Sequence, residues 1–394
     1  MSDSWNLIAT AAFGLEAVVA RELKQLGYDS VTVEDGRVRF QGGPADVVRA
    51  NLWLRSADRV QVLLGEFEAL DFGVLFDRTN DLPWEDWLTE KSTFPVNGRS
   101  VKSQLHSVPD CQRIVKKAVV ERLKRFTNSS WFEETGPETR IDVQLLRDRA
   151  SIVLDTTGPG LHKRGYRSLT GEAPLKETLA ATLVQLSYWN RERLLVDPCC
   201  GSGTILIEAA MIGRNIAPGL KRSFASQHWP RVPARLWEAA REEAMSMILP
   251  NFTERLIGYD LSWKPLNLAR AAATAAGVME DLHLQERALA EFSSKREYGC
   301  LITNPPYGER LGEQAEAEEL YRTLGEKLRE LPTWSSYIIT SHPRFEAIIG
   351  RQADRRRKLF NGRIECTYYQ YQGPRPPRPA AGDTPSPPNT PSPA

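Results

Sequence analysis

The sequence predicts an α/β protein in which a mostly parallel, doubly wound sheet follows two smaller α/β units. From about residue 171 to residue 373, short and very apolar strands alternate with apolar helices, and each strand stops at polar or turn residues. Residues 1–68 instead follow the order strand, helix, strand, strand, helix, strand. A segment between these two carries one long amphipathic helix and its own strands.

The first unit, residues 1–68, has the element order of a ferredoxin-like arrangement. Its predicted strands are short apolar or alternating runs, at Trp5–Thr10, Val31–Glu34, Arg37–Phe40 and Arg59–Phe67. Its predicted helices are Leu15–Leu26, which stops at Gly27, and Pro44–Leu54. The dipeptide Asp35-Gly36 between the second and third strands indicates a tight hairpin.

The second unit, residues 69–157, is predicted from one helix and two strands. The helix RIVKKAVVERLKRF places Val115, Ala118, Val119, Leu123 and Phe126 on one apolar face. The strands IDVQLL and RASIVLDTT follow it. Residues 158–170 combine glycines, a proline and basic residues, which is typical of a linker.

The third unit, residues 171–373, contains the strands RLLVD, RLIGYD, CLITNPP and SYIITS. A last hairpin is predicted around Asn361-Gly362, so the sheet should finish with an antiparallel pair. The gap between RLLVD and RLIGYD is long enough for an extra helix near Ala234–Met247. Residues 374–394 are rich in proline and lack apolar runs, and we expect them to be a disordered tail.

The composition excludes several classes of protein. The chain of 394 residues has 41% hydrophobic and 26% charged residues, which is typical of a globular protein. A formal charge of +1 excludes a histone-like binder, so any nucleic-acid contact must be local. Without an apolar run of membrane length or a secretory signal, we expect a soluble cytoplasmic protein. The five cysteines and five histidines are scattered, and we predict no disulfide framework and no metal site.

The segment DPCCGSGTILIEAA, which begins at Asp197, predicts a nucleotide-like ligand site. A strand ends in a carboxylate, the turn contains Gly201 and Gly203, and a helix follows with unpaired amide groups at its start. The third glycine of a dinucleotide fingerprint is absent, so a simple tight turn is the alternative. The next strand ends at Asp260, which suits a ribose diol, caps the following helix, or does both.

The strand that ends in Asn304-Pro305-Pro306-Tyr307 is the most specific signal in the chain. Two consecutive prolines fix the backbone and remove two amide donors, which leaves carbonyl oxygens free in a rigid turn. The motif also places the amide side chain of Asn304 beside the aromatic ring of Tyr307. A structural turn is the alternative interpretation.

These segments resemble the class I S-adenosylmethionine-dependent methyltransferases whose catalytic motif is (D/N)PPY and which act on exocyclic amines. DPCCGSGTILIEAAMIGRNIAPG, NPPYGERLG and LHKRGYRSLTGEAPLKETLAA are similar to segments of the large-subunit (23S) ribosomal RNA guanine-N2 methyltransferases. In that family a ferredoxin-like segment and a THUMP domain precede the catalytic domain, and a family-style THUMP boundary lies near residue 45. The resemblance covers most of the chain.

The resemblance implies a Rossmann-like, seven-stranded catalytic domain that uses S-adenosylmethionine and releases S-adenosylhomocysteine. It implies a cofactor site made of Asp197, Cys199, Gly201, Ser202, Gly203, Thr204, Asp260, Leu261, Pro174, Leu175 and Glu177. It also implies that Asn304, Pro305, Pro306 and Tyr307 are catalytic. The sequence departs from the family at Ala288, where an acid often contacts the adenine, and Glu286, Glu291 or a backbone amide is the alternative.

Local basic clusters supply candidate RNA contacts in this nearly neutral chain. The predicted set is Arg99, Lys102, Arg113, Lys117, Lys124, Lys163, Arg164 and Arg167. The alternative is that the basic residues of the amphipathic helix form only its solvated face. The predicted partner is structured RNA, namely 23S rRNA or a large-subunit assembly intermediate, with no membrane and no obligate protein partner.

Three alternative functions remain at this stage. A tRNA guanine-N2 methyltransferase would use the same modules, and an adenine-N6 DNA methyltransferase would use the same motif. A non-catalytic ribosome-assembly factor would keep the fold without turnover, although the intact Asn304-Pro-Pro-Tyr segment argues against it.

Overall fold

Two sheets organise the protein in the computed structural model, which describes residues 4–127, 132–167, 175–308 and 313–377. In these ranges the strands are β1 Trp5–Thr10, β2 Val31–Glu34, β3 Arg37–Gly42, β4 Arg59–Glu68, β5 Val96–Val101, β6 Ile141–Leu146, β7 Arg149–Asp155, β8 Leu195–Asp197, β9 Leu256–Asp260, β10 Leu282–Glu286, β11 Cys300–Thr303, β12 Ser335–Thr340, β13 Arg355–Asn361 and β14 Ile364–Tyr371. The helices are α1 Glu16–Gln25, α2 Pro44–Trp53, α3 Phe72–Asn80, α4 Val108–Thr127, α5 Glu177–Gln185, α6 Thr204–Gly213, α7 Ala234–Ser246, α8 Trp263–Ala276, α9 Glu313–Glu330 and α10 Phe345–Ile349.

The N-terminal sheet has the strand order β2-β3-β1-β4-β7-β6-β5. Its first four strands have the predicted ferredoxin-like order. Strand β4 pairs with β1 on one side and with β7 on the other, with a register shift between Leu63 and Gly65. The two small units therefore share one continuous sheet. This pairing covers an edge of β4 that would otherwise expose unpaired backbone groups.

Helix α4 covers one face of this sheet with the apolar side predicted from the sequence. Val115, Ala118, Val119 and Leu123 are fully buried. The prediction was wrong for Phe126, which is 55% exposed near the end of the helix and carries the Arg122 guanidinium over its ring. The last turn of α4 extends beyond the core, so the apolar pattern of the helix continues past the part of the sheet that the helix covers.

The C-terminal sheet has the order β10-β9-β8-β11-β12-β14-β13. Strands β10, β9, β8, β11 and β12 pair in parallel, while β14 pairs antiparallel with both β12 and β13. The predicted parallel sheet with a terminal antiparallel hairpin is confirmed. Because β9, β8 and β11 are neighbours, the polar residues at their carboxyl ends meet at one edge.

The segment that joins the two sheets packs tightly against both of them. Leu161, Arg164 and Tyr166 are buried, and Tyr166 donates a hydrogen bond of 3.0 Å to Glu208 on α6.

A tryptophan contact also joins the N-terminal part to the long insertion, since the ring centres of Trp87 and Trp229 lie 6.0 Å apart. Trp84 and Trp87 are both buried in the core. Across the described ranges, no helix is both long and apolar enough to cross a membrane.

Candidate active site

The turn between β8 and α6 uses its two glycines for different reasons. Both have positive φ angles, 52° at Gly201 and 72° at Gly203, which L side chains rarely adopt. A Cβ on Gly203 would lie 2.9 Å from Cβ of Ala269, so this glycine allows α6 to approach α8. A Cβ on Gly201 would meet no described atom within 4 Å. Only Gly201 therefore leaves open space where a ligand can approach the backbone.

Asp197 lies beneath this turn. Its Oδ1 accepts hydrogen bonds from the Thr303 hydroxyl at 2.7 Å and from the Cys199 amide at 3.2 Å. Burial raises the pKa of the Asp197 carboxyl to about 7, the two hydrogen bonds oppose this rise, and the nearby Asp260 adds to it. The carboxyl joins the ends of β8 and β11 and sets the position of the turn.

Asp260 connects the glycine turn to the end of β9. Its Oδ2 accepts from the Gly201 amide at 3.0 Å, and its Oδ1 accepts from the Ser262 amide at 3.0 Å. The alternative that Asp260 caps α8 is wrong, because Ser262 is the N-cap residue and accepts from the Lys264 amide. The Asp260 side chain lines the cavity described below and is available to a ligand.

The Asn304–Tyr307 loop follows β11 and is held by two hydrogen bonds. The Tyr307 hydroxyl donates to Asn304 Oδ1 at 2.6 Å. The Tyr321 hydroxyl on α9 donates to the Pro306 carbonyl at 2.6 Å and also contacts Thr340 Oγ1 at 2.9 Å. Burial raises the pKa of the Tyr307 phenol well above its usual value, so this hydroxyl is neutral and acts as a donor.

A cavity of about 700 Å³ brings the glycine turn and the Asn304–Tyr307 loop together. Its walls include the predicted residues Cys199, Gly201, Asp260, Leu261, Asn304, Pro305, Pro306 and Tyr307. The other described members of the predicted cofactor set do not line it, and these are Leu175, Glu177, Asp197, Ser202, Gly203 and Thr204. Pro174 lies outside the described residues.

Glu177 and Thr204 lie behind the cavity wall and are joined by Arg167. This arginine, predicted as an RNA contact, lies 3.2 Å from the Glu177 carboxylate and donates to the Thr204 hydroxyl. Its side chain is only 13% exposed. Arg167 therefore connects the start of α5 to the start of α6.

Arg164 was wrongly predicted to contact RNA. It is 2% exposed, its Nε lies 3.3 Å from Glu208 Oε1, and it donates to the Leu161 and Arg55 carbonyls. A guanidinium enclosed in this way has no surface to offer a phosphate. Its hydrogen bonds instead join the linker, the N-terminal unit and α6.

The remaining predicted RNA contacts are on the surface but do not form one patch. Arg99, Lys102, Arg113, Lys117 and Lys163 are exposed, and Lys124 is partly buried. A Cβ on Gly98 would lie 3.1 Å from Val108 at the start of α4, so Gly98 faces this helix. Successive side chains on a strand point to opposite faces, and Arg99 therefore lies on the face away from α4.

Several residues of the cavity were missed by the sequence analysis. Lys176, Leu289, Leu320, Glu313, Asn361, Gly362 and Ile364 also line it. Asn361-Gly362 was recognised as a hairpin turn, but only the sheet order brings that hairpin to the site. In the region of Ala288 the cavity is lined by Leu289, whereas Glu286 and Glu291 are exposed.

Comparisons with known proteins agree with this arrangement. Residues 164–370 match the family described as "RMKL-like, methyltransferase domain". Residues 6–61 match the "RlmL ferredoxin-like domain", and residues 69–155 match the "THUMP domain".

Two relatives show how far the similarity extends. The chain is 47% identical over 369 residues to "Putative RNA methyltransferase YpsC" of Bacillus subtilis, which covers 93% of this chain and 96% of that protein. It is 37% identical over 374 residues to "Ribosomal RNA large subunit methyltransferase K/L" of Syntrophotalea carbinolica, which covers 92% of this chain and 52% of that protein. The chain thus spans about half the length of the K/L relatives it matches.

Two solved structures share the whole fold. One is "a predicted N6-adenine-specific DNA methylase from Listeria monocytogenes", with 46% identity, a TM-score of 0.90 and coverage of 94% of this chain and 97% of that chain. The other is "SMU.472, a putative methyltransferase complexed with SAH", with 44% identity, a TM-score of 0.90 and coverage of 96% and 100%. The family suggested by the sequence motifs is confirmed, and the chain belongs to the RMKL-like methyltransferase family.

Proposed function

We propose that this protein is an S-adenosylmethionine-dependent RNA methyltransferase that methylates the exocyclic N2 amine of a guanine in 23S rRNA. The observation that carries the proposal is the single cavity shared by Gly201, Asp260, Asn304 and Tyr307. The THUMP match and the names of the RNA-methylating relatives support RNA as the substrate.

The residues of the cavity fit the chemical groups of S-adenosylmethionine. The Asp260 carboxylate can accept hydrogen bonds from ribose hydroxyls, and Gly201 leaves the space that a close ligand needs. Leu261 is 71% exposed and lines the same cavity, so it offers an apolar surface to a flat base. The related structure complexed with SAH supports this cofactor. When bound, the cofactor supplies a methyl group on a sulfonium with a thioether as the leaving group.

The Asn304–Tyr307 loop has to make a poor nucleophile reactive. The lone pair of a guanine amine is delocalised into the ring, and acceptors on its two hydrogens favour the tetrahedral form that attacks carbon. We assign these roles to Asn304 Oδ1 and the Pro305 carbonyl, which would also stabilise positive charge as it develops on nitrogen. After methyl transfer the nitrogen carries a positive charge and releases one proton to solvent, so that the product is neutral. Most of the rate gain in this scheme comes from positioning.

The RNA must bring the target nucleotide into this cavity. The N2 edge of a guanine inside a duplex cannot reach the loop, so the nucleotide must be extruded or already unpaired. Tyr307 supplies a ring for the extruded base, a contact worth about 1–3 kcal/mol. The Pro306 carbonyl accepts a hydrogen bond from the Tyr321 hydroxyl, which holds the turn in place.

The test is methyl transfer from tritiated S-adenosylmethionine to RNA isolated from a strain that lacks the protein. Naked 23S rRNA, large-subunit assembly intermediates, tRNA and duplex DNA are compared, and each product is digested to nucleosides. The proposal requires label in N2-methylguanosine from 23S rRNA, either naked or in the particle. Label only in tRNA or only in adenine, or the absence of any label, would overturn it.

A further inference from the structure

Phe13, in the loop between β1 and α1, is a large apolar side chain that remains 59% exposed. Its ring centre lies 6.1 Å from that of Phe360 on β13, in an edge-to-face geometry. Phe360 immediately precedes Asn361, which lines the cavity shared with Asn304 and Tyr307. An N-terminal loop therefore presents an exposed aromatic ring beside the hairpin that forms part of the candidate active site.

The Phe13 loop is held in place from both sides. Glu16 accepts hydrogen bonds from the amides of Gly14 at 2.8 Å and Gly36 at 3.0 Å. Gly14 has a φ of 91°, and a Cβ there would lie 2.9 Å from the carbonyl oxygen of Lys358 on β13. The loop thus packs closely against the backbone of the catalytic domain, and these contacts hold the Phe13 backbone beside β13.

The chemistry around Phe13 favours an aromatic partner over a bare phosphate chain. Phe13 also lines a second cavity of about 630 Å³ on the N-terminal sheet. Its walls hold the arginines Arg37, Arg99, Arg140 and Arg149 and the acids Asp35, Asp58, Glu66 and Asp142. Because these formal charges balance, net charge does not attract a nucleic acid here. An exposed ring, by contrast, accepts a base of any sequence by stacking.

We propose that Phe13 is a stacking platform for an unpaired RNA nucleotide that flanks the target base. The inference rests on the proposed function and extends it, because it makes the N-terminal unit part of the substrate site. The target base enters the cavity at Asn304 and Tyr307, and its neighbour in the strand lies over the β13–β14 hairpin and against the Phe13 ring. Lys358, whose Nζ lies 5.6 Å from the centre of the Phe360 ring and 2.6 Å from Glu365 Oε2, lies beside this path.

The experiment compares the full-length variants Phe13→Ala, Phe13→Leu and Phe13→Trp in methyl transfer to 23S rRNA from a strain that lacks the protein. Leucine keeps apolar packing against Phe360 but lacks a π face, so both Phe13→Ala and Phe13→Leu should raise the KM for RNA by about 5- to 150-fold. Phe13→Trp should stay within about threefold of the wild type. The kcat at saturating RNA and the Kd for S-adenosylhomocysteine should not change.

The matched control is Phe126→Leu, since Phe126 is 55% exposed and lies near the end of α4, away from both cavities. It should leave the KM for RNA unchanged. Methyl transfer by the wild type with an unchanged KM in Phe13→Leu would overturn this inference alone. Failure of the wild type to methylate any RNA would overturn the proposed function, and the inference with it.

Discussion

The hydroxyl of Tyr307 donates a 2.6 Å hydrogen bond to Oδ1 of Asn304. The Pro-Pro turn between them brings these two side chains together at one wall of the cavity. An amide oxygen has two lone pairs, so Asn304 can accept this bond and still accept one from an amine. In the proposed mechanism Tyr307 has two separable roles: its hydroxyl would orient the acceptor, and its ring would support the base.

Substitutions at Tyr307 should separate these roles. Tyr307→Phe removes the hydrogen bond to Asn304 and the longer one, 3.5 Å, from Asn361. A neutral hydrogen bond contributes about 0.5–1.5 kcal/mol, so loss of the bond to Asn304 should lower kcat by roughly 2- to 13-fold with little change in the KM for RNA. Tyr307→Leu also removes the ring and should raise this KM by about 5- to 150-fold. Steady-state kinetics with unmodified rRNA measures both, and Tyr188→Phe, at a tyrosine 50% exposed, is the control. If Tyr307→Phe and Tyr307→Leu changed the KM for RNA equally, the stacking role of the ring would be refuted.

Asp260 should be the most sensitive single position for cofactor binding. It lines the cavity and also accepts the Gly201 amide, so its loss affects both the ligand and the turn. A hydrogen bond to a charged group contributes about 1.5–3 kcal/mol, and Asp260→Ala should weaken S-adenosylhomocysteine binding by roughly 10- to 150-fold. Calorimetry measures this Kd. The control is Asp354→Ala, at an exposed residue near the opposite end of the hairpin, and equal affinities for both variants would contradict the assignment.

The raised pKa of Asp197 predicts how the stability of the ligand-free protein depends on pH. Its folded pKa of about 7 exceeds that of the unfolded chain, so folding favours the protonated carboxyl. The resulting stabilisation is fully present below about pH 4 and is lost as the pH rises through about 7. Asp197→Asn keeps an acceptor oxygen without the charge. Relative to the wild type, it should gain stability on the order of 2–4 kcal/mol between pH 5 and pH 8.

Thermal unfolding of both proteins at several pH values tests this dependence. The control is Asp281→Asn, at a buried aspartate paired with Arg214. It should lower stability, since it removes the carboxylate that pairs with the Arg214 guanidinium, whose side chain is only 15% exposed. Parallel stability curves for Asp197→Asn and the wild type would show that Asp197 does not titrate in this range.

The ion pair between Arg164 and Glu208 should act on stability and leave RNA binding unaffected. Both side chains are almost completely buried, at 1% and 0% exposure, so removing one partner leaves a charge without compensation. Glu208→Gln should destabilise the protein by about 3–5 kcal/mol. Glu330→Gln, which breaks the pair with Lys327 at a glutamate whose side chain is 54% exposed, should cost less than about 1 kcal/mol. Denaturant unfolding gives both values, and similar losses in the two variants would contradict the structural role.

Local sequence signals predicted much of the fold. The bounds of β1, β2 and β6 follow from apolar runs and turn residues. The placement of Asp197, Asp260 and Asn304 at the carboxyl ends of their strands follows from the pattern of short apolar strands that is typical of a parallel sheet. These signals are local because strand alternation and turn chemistry depend on neighbouring residues. The glycine turn lies next to the Asn304–Tyr307 loop because of the strand order in the sheet. The parallel pattern in the sequence limits which strand orders are possible.

Features that depend on distant contacts were not predictable. The pairing of β4 with β7 joins two units that read as separate in the sequence. Arg164 reads as a basic linker residue, and only the approach of Glu208, 44 positions later, makes it a buried ion. The Asn361 hairpin reaches the cavity because β14 inserts between β12 and β13, an order that no local pattern specifies.

The most direct test of the central claim is nucleoside mass spectrometry of 23S rRNA from a deletion strain complemented with different variants. The wild type should restore one N2-methylguanosine that is missing from the deletion strain, and so should the control Asn251→Ala, at an exposed asparagine outside the cavity. Asn304→Ala should lower the rate by about 10²–10³-fold and leave the site largely unmethylated, although it binds S-adenosylhomocysteine normally. Full methylation by Asn304→Ala, or an unchanged nucleoside profile in the deletion strain, would contradict the account.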